Sequence, residues 1–265
     1  MIAHFARRAA SAILLLLIAA GPQPGRAADD WGHKLPNTPT QFIFGYGSLI
    51  DTASRDATAG KPTPAIPVRV SAAFGYVRAW VDRCRCGFTA LGLRRPHPGE
   101  SAATINGVIY PADGTDMSAF DAREQGYRRV FVPPSMIEGV SWERLPETGT
   151  IWVYVPVGPG GQPGVGLPVA SAAYPLLQSY IDLVLRGGLE YGSDFAREII
   201  ATTRDWSTFW LNDRALPRRP WVFNKDYRTI DHLLSQTEPA ADDMENRLFP
   251  EPFAARNLVP QSARR

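Results

Sequence analysis

The sequence predicts an α+β protein: a small mixed β-barrel or curved sheet with one short inserted helix, followed by a C-terminal helical extension. Three observations carry this. Short apolar and aromatic runs, each bounded by Gly or Pro, recur at near-regular spacing through residues 41–155, as strands of a small sheet do. A single composition break, Gly158–Pro168 (GPGGQPGVGLP), follows them. Beyond it the apolar spacing changes from two to three and four, the helical period. Strands first and helices second is the α+β order.

Each element has its own warrant. Arg7 and Arg8 precede the apolar run Ala9–Ala20, which Gly21, Pro22 and Pro24 then break. Basic start, short apolar core and small residues are the order of a secretory signal, so residues 1–27 are expected to be cleaved near Ala27 and the protein to be periplasmic or secreted. Cleavage there would remove three arginines and no acidic residue, turning a net charge of +2 into −1. Gln41–Phe44 reads as a strand entering the turn Gly45-Tyr46-Gly47. Val68 and Val70, Phe74–Val81, Phe88–Leu93 and Ile105–Tyr110 read as further strands. Thr115 or Asp116 is placed to cap a helix through Met117–Glu124, ended by Gly126. Arg129–Val132 and Ile151–Val155 complete a unit over residues 40–157. Residues 158–168 read as a flexible loop or linker. In 169–237, Leu176, Leu177, Tyr180, Ile181, Val184 and Leu185 form an apolar stripe, and Ser193 can cap a second helix carrying Phe195, Ile199 and Ile200. Residues 238–265 are expected to be a loosely ordered tail.

Composition excludes several functions. Of 265 residues 28 are basic and 26 acidic, an excess too small for a strongly basic nucleic-acid binder, and none is left for a lasting membrane attachment after signal removal. Two cysteines and four scattered histidines give no metal-ligand spacing, so neither a metal nor another cofactor is expected. No Gly-x-Ser-x-Gly elbow and no phosphate-binding glycine loop occurs. Cys84 and Cys86 lie two apart and could pair or act as a redox site; two semi-buried structural cysteines is the preferred reading.

Two constellations remain. In Phe44-Gly45-Tyr46-Gly47-Ser48-Leu49, glycines flanking Tyr46 permit positive φ, which would turn backbone N–H groups toward a bound anion, with Ser48 adding a hydroxyl. The plain alternative is a tight turn. In Phe120-Asp121-Ala122-Arg123-Glu124-Gln125-Gly126-Tyr127, Glu124 ends a short helix beside an aromatic wall. Apolar surroundings raise a carboxyl pKa and prepare it for acid/base work. The plain alternative is a solvated charge cluster.

Taken in order, these motifs resemble the γ-glutamyl cyclotransferase superfamily. Tyr46-Gly47-Ser48-Leu49 looks like its Tyr-Gly-Ser-Leu loop, and Asp121-x-Arg123-Glu124 with Tyr127 like the glutamate segment of its ChaC-type, glutathione-degrading branch. Gly75–Trp80 is similar to the strand between the two. The resemblance covers roughly residues 41–155, and residues 175–222 look like the helical extension of a bacterial subgroup. It implies a small mixed barrel and a small-molecule γ-glutamyl substrate whose own α-amine closes 5-oxoproline. It further implies Glu124 as general acid/base and Tyr46, Gly47, Ser48, Leu49 and Tyr127 as substrate-binding residues. Two alternatives stand beside it: a non-catalytic ligand-binding module, and an enzyme for another periplasmic amide such as a γ-glutamyl cell-wall fragment.

Overall fold

The computed structural model describes residues 39–215 and 225–258. The expected export signal, with its cleavage point, lies outside them. In chain order the elements are β1 (Gln41–Gly45), α1 (Thr52–Ala59), β2 (Ile66–Val70), β3 (Val77–Cys84), β4 (Phe88–Arg94), β5 (Ile105–Pro111), α2 (Thr115–Arg123), β6 (Tyr127–Phe131), β7 (Ile137–Gly139) and β8 (Thr150–Pro156). They continue with β9 (Leu176–Leu177), α3 (Gln178–Leu189), α4 (Ser193–Thr202), β10 (Trp210–Leu211), α5 (Tyr227–Gln236), α6 (Ala240–Met244) and α7 (Pro250–Asn257).

Six strands form one sheet in the order β6-β8-β1-β5-β2-β7. β1 lies at its centre, antiparallel to β5 and parallel to β8, and buries Phe42, Ile43 and Phe44 on both faces. The architecture is α+β, but among the described residues the sheet does not close into a barrel. Its end strands β6 and β7 each pair on one side only, and β3–β4 form a separate two-stranded ribbon. That ribbon packs on β8, where Gly92 meets Pro156; a Cβ on Gly92 would come within 2.8 Å of the proline ring.

The central strand needs a glycine partner. A Cβ on Gly107 of β5 would collide with the Gly45 carbonyl oxygen and the Phe44 ring, so glycine lets β1 and β5 approach at the point where the chain leaves the sheet.

The helical half is joined to the sheet rather than linked to it. One buried apolar cluster runs from Phe42 and Val153 through Ile181, Val184, Ile199 and Trp210 to Leu233 and Leu234. Buried Arg78 of β3 stitches the two halves. Its guanidinium donates to the Asn106 carbonyl (2.7 Å) and Oδ1 (2.9 Å), to the Ile199 carbonyl (3.1 Å) and to the Thr202 and Thr203 hydroxyls (2.6 and 3.0 Å). Among the described residues no carboxylate is hydrogen-bonded to it, and burial pulls its pKa down to about 9 against the charge of Glu198. Further out, Arg214 ties Asp182 of α3 to Asp231 of α5, and Arg247 closes on Asp231 (2.9 Å).

Several expectations are corrected. Gly114, not Thr115 or Asp116, is the N-cap of α2, and Gly192, not Ser193, that of α4. The strand expected from Phe74 begins only at Val77, since Phe74 ends a 3-10 turn (Ala72–Phe74), and Leu176–Leu177 are strand rather than helix. The Gly/Pro segment is a largely exposed loop tied to its neighbours by backbone hydrogen bonds. Gly158 N–H donates to Gln162 C=O, Gly164 N–H to Pro156 C=O and Arg95 N–H to Gly164 C=O. The tail carries α6 and α7, anchored by buried Ala240 and Phe253.

Candidate active site

β1 delivers the Tyr46–Leu49 segment to the edge of the core, and the chain turns there into a 3-10 helix, Ser48–Ile50. The expected reason for its glycines is corrected: neither Gly45 nor Gly47 adopts positive φ. Gly45 serves close packing instead, since a Cβ there would lie 3.1 Å from the Tyr110 ring and 3.3 Å from Leu49 Cβ. The turn is held from beneath by buried Arg55 of α1, whose guanidinium donates to the Leu49 and Ile50 carbonyls (both 3.0 Å) and to Thr63 C=O (2.8 Å). From behind, α3 presses Gly187 directly against the Ile50–Asp51 backbone. Asp51 is fully buried; it caps α1 through the Ser54 N–H and accepts from Arg186 Nε (2.7 Å). The Ser48 and Leu49 N–H groups precede the first closed turn bond, Ile50 N–H to Gly47 C=O (3.0 Å).

Glu124 is the C-cap of α2. Its N–H closes on Phe120 C=O (2.9 Å) and its own carbonyl accepts from Tyr127 N–H (3.1 Å). Gly126, at φ +94°, makes the reversal into β6 that few side chains would tolerate. The side chain is 16% exposed. Burial raises its pKa; Arg123 opposes the rise, and Asp82 adds to it. Arg123 Nε donates to Glu124 Oε1 (3.2 Å), while its other nitrogens donate to Ser48 Oγ (3.0 Å) and Thr58 Oγ1 (2.5 Å). One guanidinium thus bridges the glutamate and the loop serine.

Tyr46, Gly47, Ser48, Leu49, Glu124 and Tyr127 all line a single cavity of about 670 Å³. Their parts in it differ. The Tyr46 ring is buried and its hydroxyl is spent on Tyr154 C=O (2.9 Å), so it offers the cavity a ring rather than a donor. Leu49 is mostly core. Ser48 is hydrogen-bonded to Tyr180 as well as to Arg123.

The sequence reading does not single out Asp82 or Tyr180, and gives Arg123 no role. Asp82 follows a β-bulge: Trp80 faces Leu91 while Asp82 already faces Ala90, leaving Val81 as the extra residue. Bulges re-aim side chains, and here the result is a second carboxyl in the cavity wall. Burial raises the Asp82 pKa, and a hydrogen bond from Tyr127 pulls the other way. An isolated acid in an aromatic strand (Trp80-Val81-Asp82-Arg83) is the one signal that could have marked it. Tyr180 carries no such mark, because its spacing reads as part of an apolar stripe; burial pushes its pKa up to about 12, against the Ser48 hydrogen bond. Among the described residues no cluster of three or more His, Cys, Asp and Glu is arranged to hold a metal ion.

No protein-family model matches the chain, and no curated protein does. Solved structures do align with it. One, named as a γ-glutamyl cyclotransferase, shares 12% identity at a TM-score of 0.43, over 63% of this chain and 90% of that one. A human protein shares 14% identity at 0.41, over 63% and 90%. A solution structure from Arabidopsis thaliana shares 15% at 0.35, over 47% of this chain; the chain spans 66% of its length.

Proposed function

We propose that this cavity binds a γ-glutamyl amine or peptide and releases 5-oxoproline from it, with Glu124 moving the proton. One observation carries the reading: a shielded glutamate of raised pKa and the Ser48 hydroxyl share one guanidinium, Arg123, at the wall of a cavity large enough for a small peptide. The motif order in the sequence supports it.

The charges suit the head of such a substrate, which bears an α-ammonium and an α-carboxylate. Asp82 and Glu124 supply negative charge for the first; Arg123 with Ser48 supplies donors for the second. Held this way, the α-nitrogen lies one ring closure from the γ-carbonyl carbon. Well-oriented intramolecular attack can lower the barrier by about 7–11 kcal/mol. Glu124 takes one proton from the α-ammonium, the freed lone pair forms the new C–N bond to the γ-carbonyl carbon, and a second proton passes from the ring nitrogen to water, so that Glu124 is left holding the first. It returns a proton to the leaving nitrogen as the old C–N bond breaks, an exchange worth about 10²–10⁴-fold. In this reading the Ser48 and Leu49 N–H groups, at the start of the 3-10 turn in the cavity wall, receive a substrate oxygen. No enzyme nucleophile takes part, since the substrate brings its own. The leader sequence makes the proposed place of action the periplasm or the exterior.

The test is 5-oxoproline release from a panel of γ-glutamyl amines, γ-glutamyl dipeptides, glutathione and γ-glutamyl muropeptides. At least one is expected to turn over, and Glu124→Gln is expected to reduce kcat by about 10²–10⁴-fold while leaving the fold intact. Folded protein that turns over none of them is a binding module; near-normal turnover by the Gln variant removes Glu124 from the chemistry.

A further inference from the structure

The β3–β4 ribbon ends in a three-residue turn, Arg85-Cys86-Gly87, with Gly87 at φ +86° and its N–H closed on Cys84 C=O (3.0 Å). Cys84 and Cys86 are joined by a disulfide. The sequence leaves their oxidation state open, and the structure pairs them. The bond restrains very little. It spans two positions of a turn that the glycine, the Gly87 hydrogen bond and the Cys84–Phe88 pairing already fix. A cross-link stabilises in proportion to the chain freedom it removes, and here almost none is left to remove.

Its setting is that of a reactive bond. Cys86 is exposed, while Cys84 is half-buried and forms part of the cavity wall between Arg83 and Arg85. Cys84 Sγ accepts the Cys86 N–H (3.2 Å), a bond that strengthens if that sulfur becomes a thiolate. Arg83, the residue before Cys84, donates to Val169 C=O (2.9 Å) and lies over the Tyr174 ring, and Arg85 separates the two cysteines. Exposed disulfides with stabilised leaving thiolates are the ones that exchange.

We propose that Cys84–Cys86 is a thiol–disulfide exchange site at the cavity mouth, and that its partner is a small anionic thiol. The thiolate R–S⁻ attacks Cys86 Sγ and forms a new S–S bond. The Cys84–Cys86 bond breaks, and its electron pair leaves on Cys84 Sγ, next to the arginines and the Cys86 N–H. A second R–S⁻ attacks the mixed disulfide and releases R–S–S–R, leaving Cys86 as thiolate. Two small thiols are oxidised and one protein disulfide is reduced. A small-molecule disulfide runs the same steps in reverse. This inference does not depend on the cyclotransferase reading.

The experiment uses the oxidised full chain, kept folded and followed by circular dichroism. It is mixed with 3-mercaptopropionate or with cysteamine at equal thiolate concentration, and free thiols are counted over time by maleimide mass tagging. The disulfide is expected to open without loss of fold, about tenfold faster with the anionic thiol, the low end of what steering by local charge supplies. Arg85→Glu is expected to erase or invert that preference. In Cys84→Ser, which lacks the resolving sulfur, 3-mercaptopropionate supplied as its disulfide should remain attached at Cys86. Opening only at the rate of global unfolding would mark the bond as structural and overturn the proposal. Equal rates for the two thiols would overturn the anionic partner, and two free thiols in protein purified without reductant would overturn the disulfide site itself.

Discussion

At the scale of single residues, the candidate site is a matter of which charges Glu124 feels. Burial alone would raise its pKa, and its two charged neighbours act in opposite directions: Arg123 lowers it and Asp82 raises it. A base must be ionised to accept a proton, so the acid limb of kcat/KM reports the glutamate in the free enzyme. The wild-type limb is expected above the ordinary glutamate value of about 4.3. Asp82→Asn removes a nearby negative charge and should move the limb to lower pH. Arg123→Met removes the positive charge and should move it to higher pH. A pH series of kcat/KM on the three proteins checks both signs. Two shifts in the same direction, or none, would mean that Glu124 is not the titrating group. Each variant should also weaken substrate binding and raise KM, since Asp82 and Arg123 face the two ends of the proposed zwitterionic head.

At the scale of elements, the loop that carries Ser48 is only as well placed as the elements beneath it. Gly187 of α3 lies against Ile50–Asp51, with a Cβ there meeting Asp51 Cα at 2.7 Å and Ile50 C at 2.8 Å. Those atoms are backbone and have nowhere to swing. Gly187→Ala is expected to cost about 1–3 kcal/mol, as overpacked cores do. At about 2–4 °C per kcal/mol that is a fall of several degrees in Tm. Because the displaced segment is the site loop, kcat/KM should fall more steeply than stability at a temperature where both proteins are folded. Calorimetry beside a 5-oxoproline assay checks this. The sequence shows what such a device is made of, not where it acts: Gly187-Gly188 ends an apolar stripe and resembles an ordinary helix end. The strands at 41–45, 88–94, 105–111 and 150–156 were legible because aromatic and β-branched runs there are cut off by Gly or Pro. α1 was not legible. Its sequence TASRDATA has no apolar face, and the side chain it buries is Arg55, paired with carbonyls that no local pattern discloses. α5 had a readable stripe, Ile230, Leu233 and Leu234, hidden by the Trp/Pro/Arg-rich stretch before it. In the site, the six residues named from motifs came together. The bulge that turns Asp82 inward depends on β3–β4 register, which composition does not encode.

At the scale of the whole molecule, ionised groups divide into two sets with opposite effects on stability. Glu100 sits below its ordinary pKa because Arg94 donates to it. Asp231 does so because Arg214 and Arg247 outweigh the burial that would raise it. Groups depressed in the fold stabilise it above the ordinary carboxylate range, and that contribution is lost as pH falls through their folded values. Asp82, Glu124 and Asp182 are raised, each chiefly by burial; for Asp182 this holds even against Arg214. Raised groups favour the fold while protonated, and their contribution is lost as pH rises through the folded values. The two sets together place the stability maximum near the ordinary carboxylate values: below them the contribution of Glu100 and Asp231 is lost, and above them that of Asp82, Glu124 and Asp182 declines up to their raised values. Because one apolar cluster runs through sheet and helices, the maximum should belong to a single cooperative transition. The glutamate of the candidate site is thus held at the expense of stability near neutral pH. Glu124→Gln, which cannot ionise, should unfold at a higher temperature than wild type at neutral pH and lose that advantage as the solution is acidified. Thermal unfolding of both proteins across pH 4–9 measures the effect. A wild-type Tm that climbs steadily from the acidic to the neutral end, with the Gln variant parallel to it, would mean that the glutamate carboxyl is not raised by its surroundings and is not set up as the proton carrier.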